Sequence, residues 1–236
     1  MAKRFAPTLL SLVISCVSCA AQTTVVDVKD ESTVKCRVRM SGTIELTESE
    51  VDGVNHTSFA SEISETNLSN VHIVAMVTFT SIGNSLGPLV GVNHPLDAFF
   101  FHKLEIAPGQ TLTKKIDKNG VMSEPVRKGA VKIAPAASSQ VIFVQFADGS
   151  TCGDAKDERV VSLMDTRADL LLALKKIDDA AKMGEGEFLK ALADKSVDRT
   201  EDAKRILVDI RDMQKEKGST AAIEYIRGML DVAASR

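Results

Sequence analysis

The sequence predicts an α+β chain of more than one domain, an antiparallel β-sandwich followed by a helical domain. Two compositional shifts and a change of period predict it. All six prolines lie at or before Pro135, and seven of the nine Phe fall between Phe59 and Phe146. From Thr151 onward, 16 basic and 18 acidic residues crowd into the last 86, a density typical of amphipathic helices rather than strands. The apolar pattern changes in step, from alternation in stretches such as Val34–Met40 to a 3.6-residue spacing beyond Asp157.

The first 21 residues read as a leader rather than as part of the fold. Lys3 and Arg4 precede an apolar run from Ala6 to Val17, and small residues follow at Ser18, Ala20 and Ala21. That is the layout of a secretory signal peptide, and the run is too short to cross a bilayer. Cleavage after Ala20 or Ala21 places small side chains where the peptidase pocket reads them. A second reading stays open: Val13-Ile14-Ser15-Cys16 is an imperfect lipobox, in which Cys16 would carry lipid and anchor the protein to the envelope. Either way the expected location is outside the cytoplasm, periplasmic or secreted, and no other segment is long and apolar enough to span a membrane. Of 29 basic residues the leader removes two, leaving 27 against 32 acidic. With that balance and no basic stripe, nucleic acid is not an expected partner. Two of the four cysteines leave with the leader. Cys36 and Cys152 remain, and an even number in an oxidising compartment favours a structural disulfide over a redox or metal pair.

The remaining chain divides into a lead-in (22–33), a sandwich (34–153) and a helical domain (154–236). The lead-in is polar apart from Val25-Val26 and is expected to be at most an edge strand. Val34, Cys36, Val38 and Met40 share one face of a half-buried strand that fades by Leu46. Glu48–Asn55 reads as an acidic loop, Phe59–Thr66 as a weaker strand, and Val71–Thr80 as a strong one. Three glycines and two prolines between Ser81 and Pro95 predict a loop. Leu96–Ile106 reads as a strand through Phe99-Phe100-Phe101, and Thr111–Ile116 follows the Pro108-Gly109 turn. Val131–Ile133 and the apolar Gln140–Phe146, turned by Asp148-Gly149 into a short return carrying Cys152, complete about seven strands. That count over roughly 120 residues fits a sandwich of immunoglobulin type.

Three stretches carry a resemblance: Ile63-Ser64-Glu65-Thr66-Asn67-Leu68-Ser69, Leu104-Glu105-Ile106-Ala107-Pro108-Gly109-Gln110, and Phe146-Ala147-Asp148-Gly149-Ser150-Thr151. Over residues 34–153 the chain resembles bacterial exported immunoglobulin-like domains of uncharacterised function. The resemblance implies a sandwich outside the cytoplasm and transfers no catalytic residue.

Asp154 or Asp157 can cap a first helix through Val160, Leu163, Leu170, Leu171, Leu174 and Ile177, ended by Gly184 and Gly186. Phe188, Leu189 and Leu192 mark a short second helix. Thr200 caps a third with Ala203, Ile206, Leu207 and Ile210 on one face, and Gly218 closes it. A fourth runs from Ser219. Three to four helices with short connections form a small bundle.

Candidate chemistry is sparse, and no cofactor is implied. The four histidines lack the spacing that puts two ligands on one helix face. His94, Asp97 and His102 could converge on a metal in a hydrolase, although isolated strand histidines explain them more simply. The glycine-rich Gly83–Gly91 lacks the features of a phosphate loop. More telling, three strands are apolar on both faces: Val74 and Met76, Phe100, and Ile142, Val144 and Phe146 all oppose the main apolar face of their strands. A sheet with one solvated face should carry polar residues there. The expectation is that Leu170, Leu171 and Leu174 of the first helix dock over these residues. The function expected is therefore a non-catalytic exported module for binding or envelope organisation, with another envelope or extracellular protein as partner. A peptide strand could add to a free sheet edge. The alternatives are the metal-dependent hydrolase at His94/His102 and a carrier holding a small ligand between sandwich and helices.

Overall fold

The computed structural model describes residues 21–32, 34–51, 54–84, 87–116, 121–125, 135–197 and 200–236. The leader with Cys16, and the strand expected at Val131–Ile133, lie outside the described residues.

The chain is α+β, but the β part is one curled mixed sheet, a half-barrel, and not two antiparallel layers. Nine strands are described: β1 (Gln22–Asp30), β2 (Val38–Val51), β3 (Val54–Asn67), β4 (Ile73–Asn84), β5 (Gly87–Asp97), β6 (Thr111–Ile116), β7 (Val121–Pro125), β8 (Pro135–Phe146) and β9 (Thr151–Gly153). Their order is β5-β4-β8-β1-β2-β3-β6, with β7 also on β3 and β9 also on β8. The supposed lead-in is the strand that makes the sheet continuous. Gln22–Asp27 of β1 pair antiparallel with β2, and Val28–Asp30 then pair parallel with Ala137–Ser139 of β8. Asp30 fixes this corner by accepting from the backbone N–H of Met40 at 2.8 Å and of Ser32 at 2.9 Å. A strand that hands its hydrogen bonds from one neighbour to another curls a sheet without splitting it.

Three further boundaries differ from the sequence pattern. Val34–Cys36 form a 3₁₀ turn, so the strand begins at Val38. The acidic Glu48–Asn55 stretch belongs mostly to a long hairpin, with Glu48 opposite Thr57 and Val51 opposite Val54. These pairs extend past the core, so their backbone ladder leaves no apolar alternation to read. Ser81–Pro95 is also a hairpin, β4 to β5. Its prolines are tolerated because β5 is an edge strand, and Gly91 leaves room for the Phe79 ring, which a Cβ there would push aside.

The inner face of the half-barrel holds one core, with Val38, Met40 and Ile44 from β2, Phe59 and Ile63 from β3, Met76 and Ile82 from β4, and Val141, Val144 and Phe146 from β8. Here two bulges matter. The β4–β8 register skips Val74 on one strand and Ile142 on the other. Each extra residue shifts the alternation by one. Met76, Val144 and Phe146 therefore point into the barrel, not toward the helices. The outer face is covered instead by Val77 and Phe143, packed with Val160 of the first helix and flanked by Ile142, Leu163 and Met164. Burying a side chain of this size contributes roughly 1.5–3 kcal/mol.

The helices are α1 (Glu158–Met183), α2 (Glu185–Ala193), α3 (Glu201–Lys217) and α4 (Ser219–Ala234). Asp157 caps α1, accepting from the Arg159 N–H at 3.0 Å, and Thr200 caps α3 through Ala203. Gly184 ends α1, whereas Gly186 lies inside α2. Leu170, Leu171 and Leu174 do not meet the sheet face. They pack in the helical core with Ile177, Phe188, Leu207, Ile210 and Ile226. The β part reaches that core through Phe100, with Phe99 and Phe101 packed at its margin, because Ala98–Phe101 is a turn rather than a strand. Asp178 joins α1 to α4 through Arg227 at 2.7 Å. At the far end Arg236 pairs with Glu105, which also meets His72 at 3.0 Å. Cys36 and Cys152 form a disulfide between the turn ahead of β2 and strand β9.

Candidate functional site

Among the described residues, a cleft where the sheet meets the helices and a polar cluster inside the barrel stand apart from ordinary core packing.

The cleft has a volume of about 330 Å³. Pro95, Asp97, Phe100, Phe101 and Leu104 line it from the β side, Leu163, Thr166, Arg167 and Leu170 from α1, and Arg205 and Ile206 from α3. Local hydrogen bonds set the β wall. Asp97 accepts from the Phe99 N–H at 2.9 Å, the Phe101 N–H donates to Ala98 at 2.9 Å, and the Leu104 N–H donates to Phe101 at 3.0 Å. This series of turns presents Phe100 and Phe101 to the helices. Phe99 meets Phe100 edge-on, with ring centroids 5.1 Å apart.

Arg167 anchors the opposite wall. It is only 6% exposed. Its Nε and Nη2 donate to the two Asp97 carboxylate oxygens, each at 2.8 Å, and Nη1 donates to Gln145 Oε1 at 2.6 Å. Its guanidinium also lies 4.6 Å from the centre of the Phe99 ring. A two-pronged Arg–carboxylate bond fixes both position and orientation. A second hollow of about 360 Å³ shares Pro95, Leu163 and Thr166 with the first and continues along α1 to Asn93 and Arg159. Arg159 is itself held by Asp157, at 2.7 and 2.6 Å, and lies over Phe79.

Inside the barrel, the inner face of β3 carries Glu65 with no exposure at all. The Thr78 hydroxyl donates to Glu65 Oε1 at 2.7 Å, and Lys114 Nζ lies 2.9 Å from Oε2. Lys114 sits on edge strand β6 and also donates, at 3.4 Å, to the carbonyl of His94 on the opposite edge strand β5. It thus links the two free edges of the curled sheet. The His94 ring is buried, and its Nε2 has no hydrogen-bond partner among the described residues. Burial first, and the Lys114 charge second, push its pKa down from 6.5 to about 4. His94 is therefore neutral at physiological pH. Deeper in the barrel, the Thr80 and Ser139 hydroxyls pair at 2.7 Å.

The structure separates the residues considered for a metal. His94 shares the inner face with Val92 and Leu96, whereas Asp97 turns to the helices and commits both oxygens to Arg167. Of the His102 side chain nothing is described. Among the described residues, no group of three or more His, Cys, Asp and Glu could hold a metal ion. Asn67, in the Asn67-Leu68-Ser69 sequon, is buried and donates to the carbonyls of Val71 and Ile106 at 2.8 and 2.9 Å. It is a structural asparagine, not an open acceptor for a glycan. Edge strand β5 carries Pro88 and Pro95, which have no N–H to offer an added strand.

Arg167, Glu65 and Lys114 do not emerge from motif reading, yet the first two leave a signal. Arg167 interrupts the apolar stripe Val160–Leu163–Leu170–Leu174 at a core-facing position, and Glu65 continues the buried series Phe59, Ser61 and Ile63. A charge where the period demands an apolar residue marks a buried ion pair or a site. No protein-family model matches the chain, and neither a curated protein nor a solved structure is significantly similar to it.

Proposed function

We propose that this protein is an exported, non-catalytic binding module that receives a small ligand in the cleft between the curled sheet and the helices. The observation that carries this is the construction of the cleft. Apolar walls from both parts meet around a guanidinium whose bonding is already committed to Asp97 and Gln145. Small-ligand sites combine mainly apolar walls with a few fixed polar groups, and favour the junction between structural units. The volume lies at the lower end of such sites. Export is supported by the leader-like first 21 residues and by the disulfide. Among the described residues, no helix is long and apolar enough to cross a membrane.

Native mass spectrometry of the protein recovered from its own envelope fraction tests both halves. The mature mass should lack the leader, and gentle ionisation should retain a small-molecule adduct. Thr166→Phe, which projects a ring into the cleft, should remove that adduct. An adduct that persists unchanged in Thr166→Phe would place the ligand elsewhere.

A further inference from the structure

We infer that the ligand of this cleft is a small amphipathic anion, a medium-chain carboxylate, whose headgroup pairs with Arg205 and whose tail lies on Phe100, Phe101 and Leu104. The inference rests on the ligand-cleft reading above and adds the chemistry of the ligand.

Three charged residues line the cleft: Asp97, Arg167 and Arg205. Asp97 and Arg167 neutralise one another through two hydrogen bonds, each 2.8 Å long, so neither offers a free charge. Arg205 is different. It is exposed on α3 at the edge of the cleft, and no hydrogen bond or ion pair to it occurs among the described residues. One turn earlier on α3, Glu201 is engaged by Lys204, and Asp209, one turn later, does not line the cleft. The cleft therefore carries a net charge of one positive unit, placed at one end of an apolar wall. A lone guanidinium beside an apolar surface favours a planar anionic headgroup over a neutral or cationic one, because guanidinium and carboxylate match in geometry as well as charge. Size narrows the choice further. A volume of about 330 Å³ corresponds to roughly ten waters at about 30 Å³ each, and so to a ligand of about ten heavy atoms. One short acyl chain with its carboxylate meets that limit, whereas a two-chain lipid exceeds it.

Isothermal titration of the mature protein at pH 7 and low salt, with octanoate, octan-1-ol and octylamine as probes, tests this. Octanoate should bind about tenfold more tightly than octan-1-ol, with octylamine weakest. Arg205→Gln should bring octanoate to the level of the alcohol without changing the alcohol itself, and Arg205→Lys should restore part of the preference. Thr166→Phe should abolish binding of all three. Equal binding of octanoate and octan-1-ol, unaffected by Arg205→Gln but lost in Thr166→Phe, overturns the anion assignment and leaves the cleft as the site. Binding that survives Thr166→Phe overturns both. No binding of any probe overturns the assignment, and the adduct found by native mass spectrometry then judges the cleft separately.

Discussion

Arg167 is the residue on which the two parts of the molecule depend most. It grows from a helix, bonds a carboxylate at the end of a strand and a glutamine on another, and lies over an aromatic ring between them. Removing one partner of such a pair strands the other, which typically costs about 3–5 kcal/mol, whereas replacing both with apolar groups is often nearly neutral. Because Asp97 retains some contact with solvent, Arg167→Ala should lower stability by about 3 kcal/mol in urea unfolding. The double variant Arg167→Met with Asp97→Leu should recover most of that loss. An additive double variant would show that the pair is not coupled. His94 makes a second prediction. The folded protein holds its ring neutral down to about pH 4, whereas an unfolded chain protonates it near 6.5. The unfolded state thus binds the extra proton between those values, so the His94 contribution is complete above pH 6.5 and is lost as pH falls toward 4. Lys114 is the charged group that acts on it, and Glu65 pairs with that lysine. The loss should reach up to about 3 kcal/mol, and His94→Phe should flatten the slope. An NMR titration with a His94 midpoint near 6.5 would contradict the burial argument. Both residues were open to notice as charged or titratable groups on apolar faces. Their partners were not, because Arg167 meets Asp97 across 70 positions, a distance that no local pattern spans.

At the scale of elements, local signals were most legible where a cap or turn has its own chemistry. Asp157 and Thr200 sit at helix starts as their side chains predict, Gly218 closes α3 with the positive φ it allows, and Gly149 supplies that of the Asp148-Gly149 turn. Asp157→Ala should lower stability by about 1 kcal/mol, measured as a shift in the denaturation midpoint, because α1 loses its cap and Arg159 loses its main partner. An unchanged midpoint would mean that α1 is held by packing alone. Strand faces were less legible. Val74 and Ile142 each add one residue to a ladder, and simple alternation then assigns Met76, Val144 and Phe146 to the wrong side. The conclusion that the outer face is covered survives this error, since Val77, Ile142 and Phe143 take those places against α1. Prolines and glycines in β5 concealed a strand because an edge tolerates what a centre would not.

For the whole molecule, composition showed the division into a β part and a helical part, but not the path of the sheet. A half-barrel and a sandwich bury the same apolar alternation. They differ in whether one polar strand, β1, continues the ladder between the two leaves. The Cys36–Cys152 disulfide closes that arrangement across 116 residues. By the loop-entropy model it contributes on the order of 4–5 kcal/mol, so reduction under native buffer should lower the urea midpoint markedly, and the Cys36→Ala, Cys152→Ala pair should do the same. Equal midpoints before and after reduction would contradict that role. Among the contacts that join helices and sheet are Phe100, the Arg167–Asp97 pair, the Val77–Phe143–Val160 contact and the Arg236–Glu105 pair. Between the first two of these the cleft opens. The most direct test of its role is a methyl-labelled NMR titration of the mature protein with octanoate. Saturable shifts should concentrate on the methyl groups of Leu104, Leu163, Leu170 and Ile206, with those of the barrel core, such as Ile44 and Ile63, unmoved. Shifts centred instead on Leu172 and Met183, on the far side of α1 and α2, or no saturable shift at all, would contradict that role.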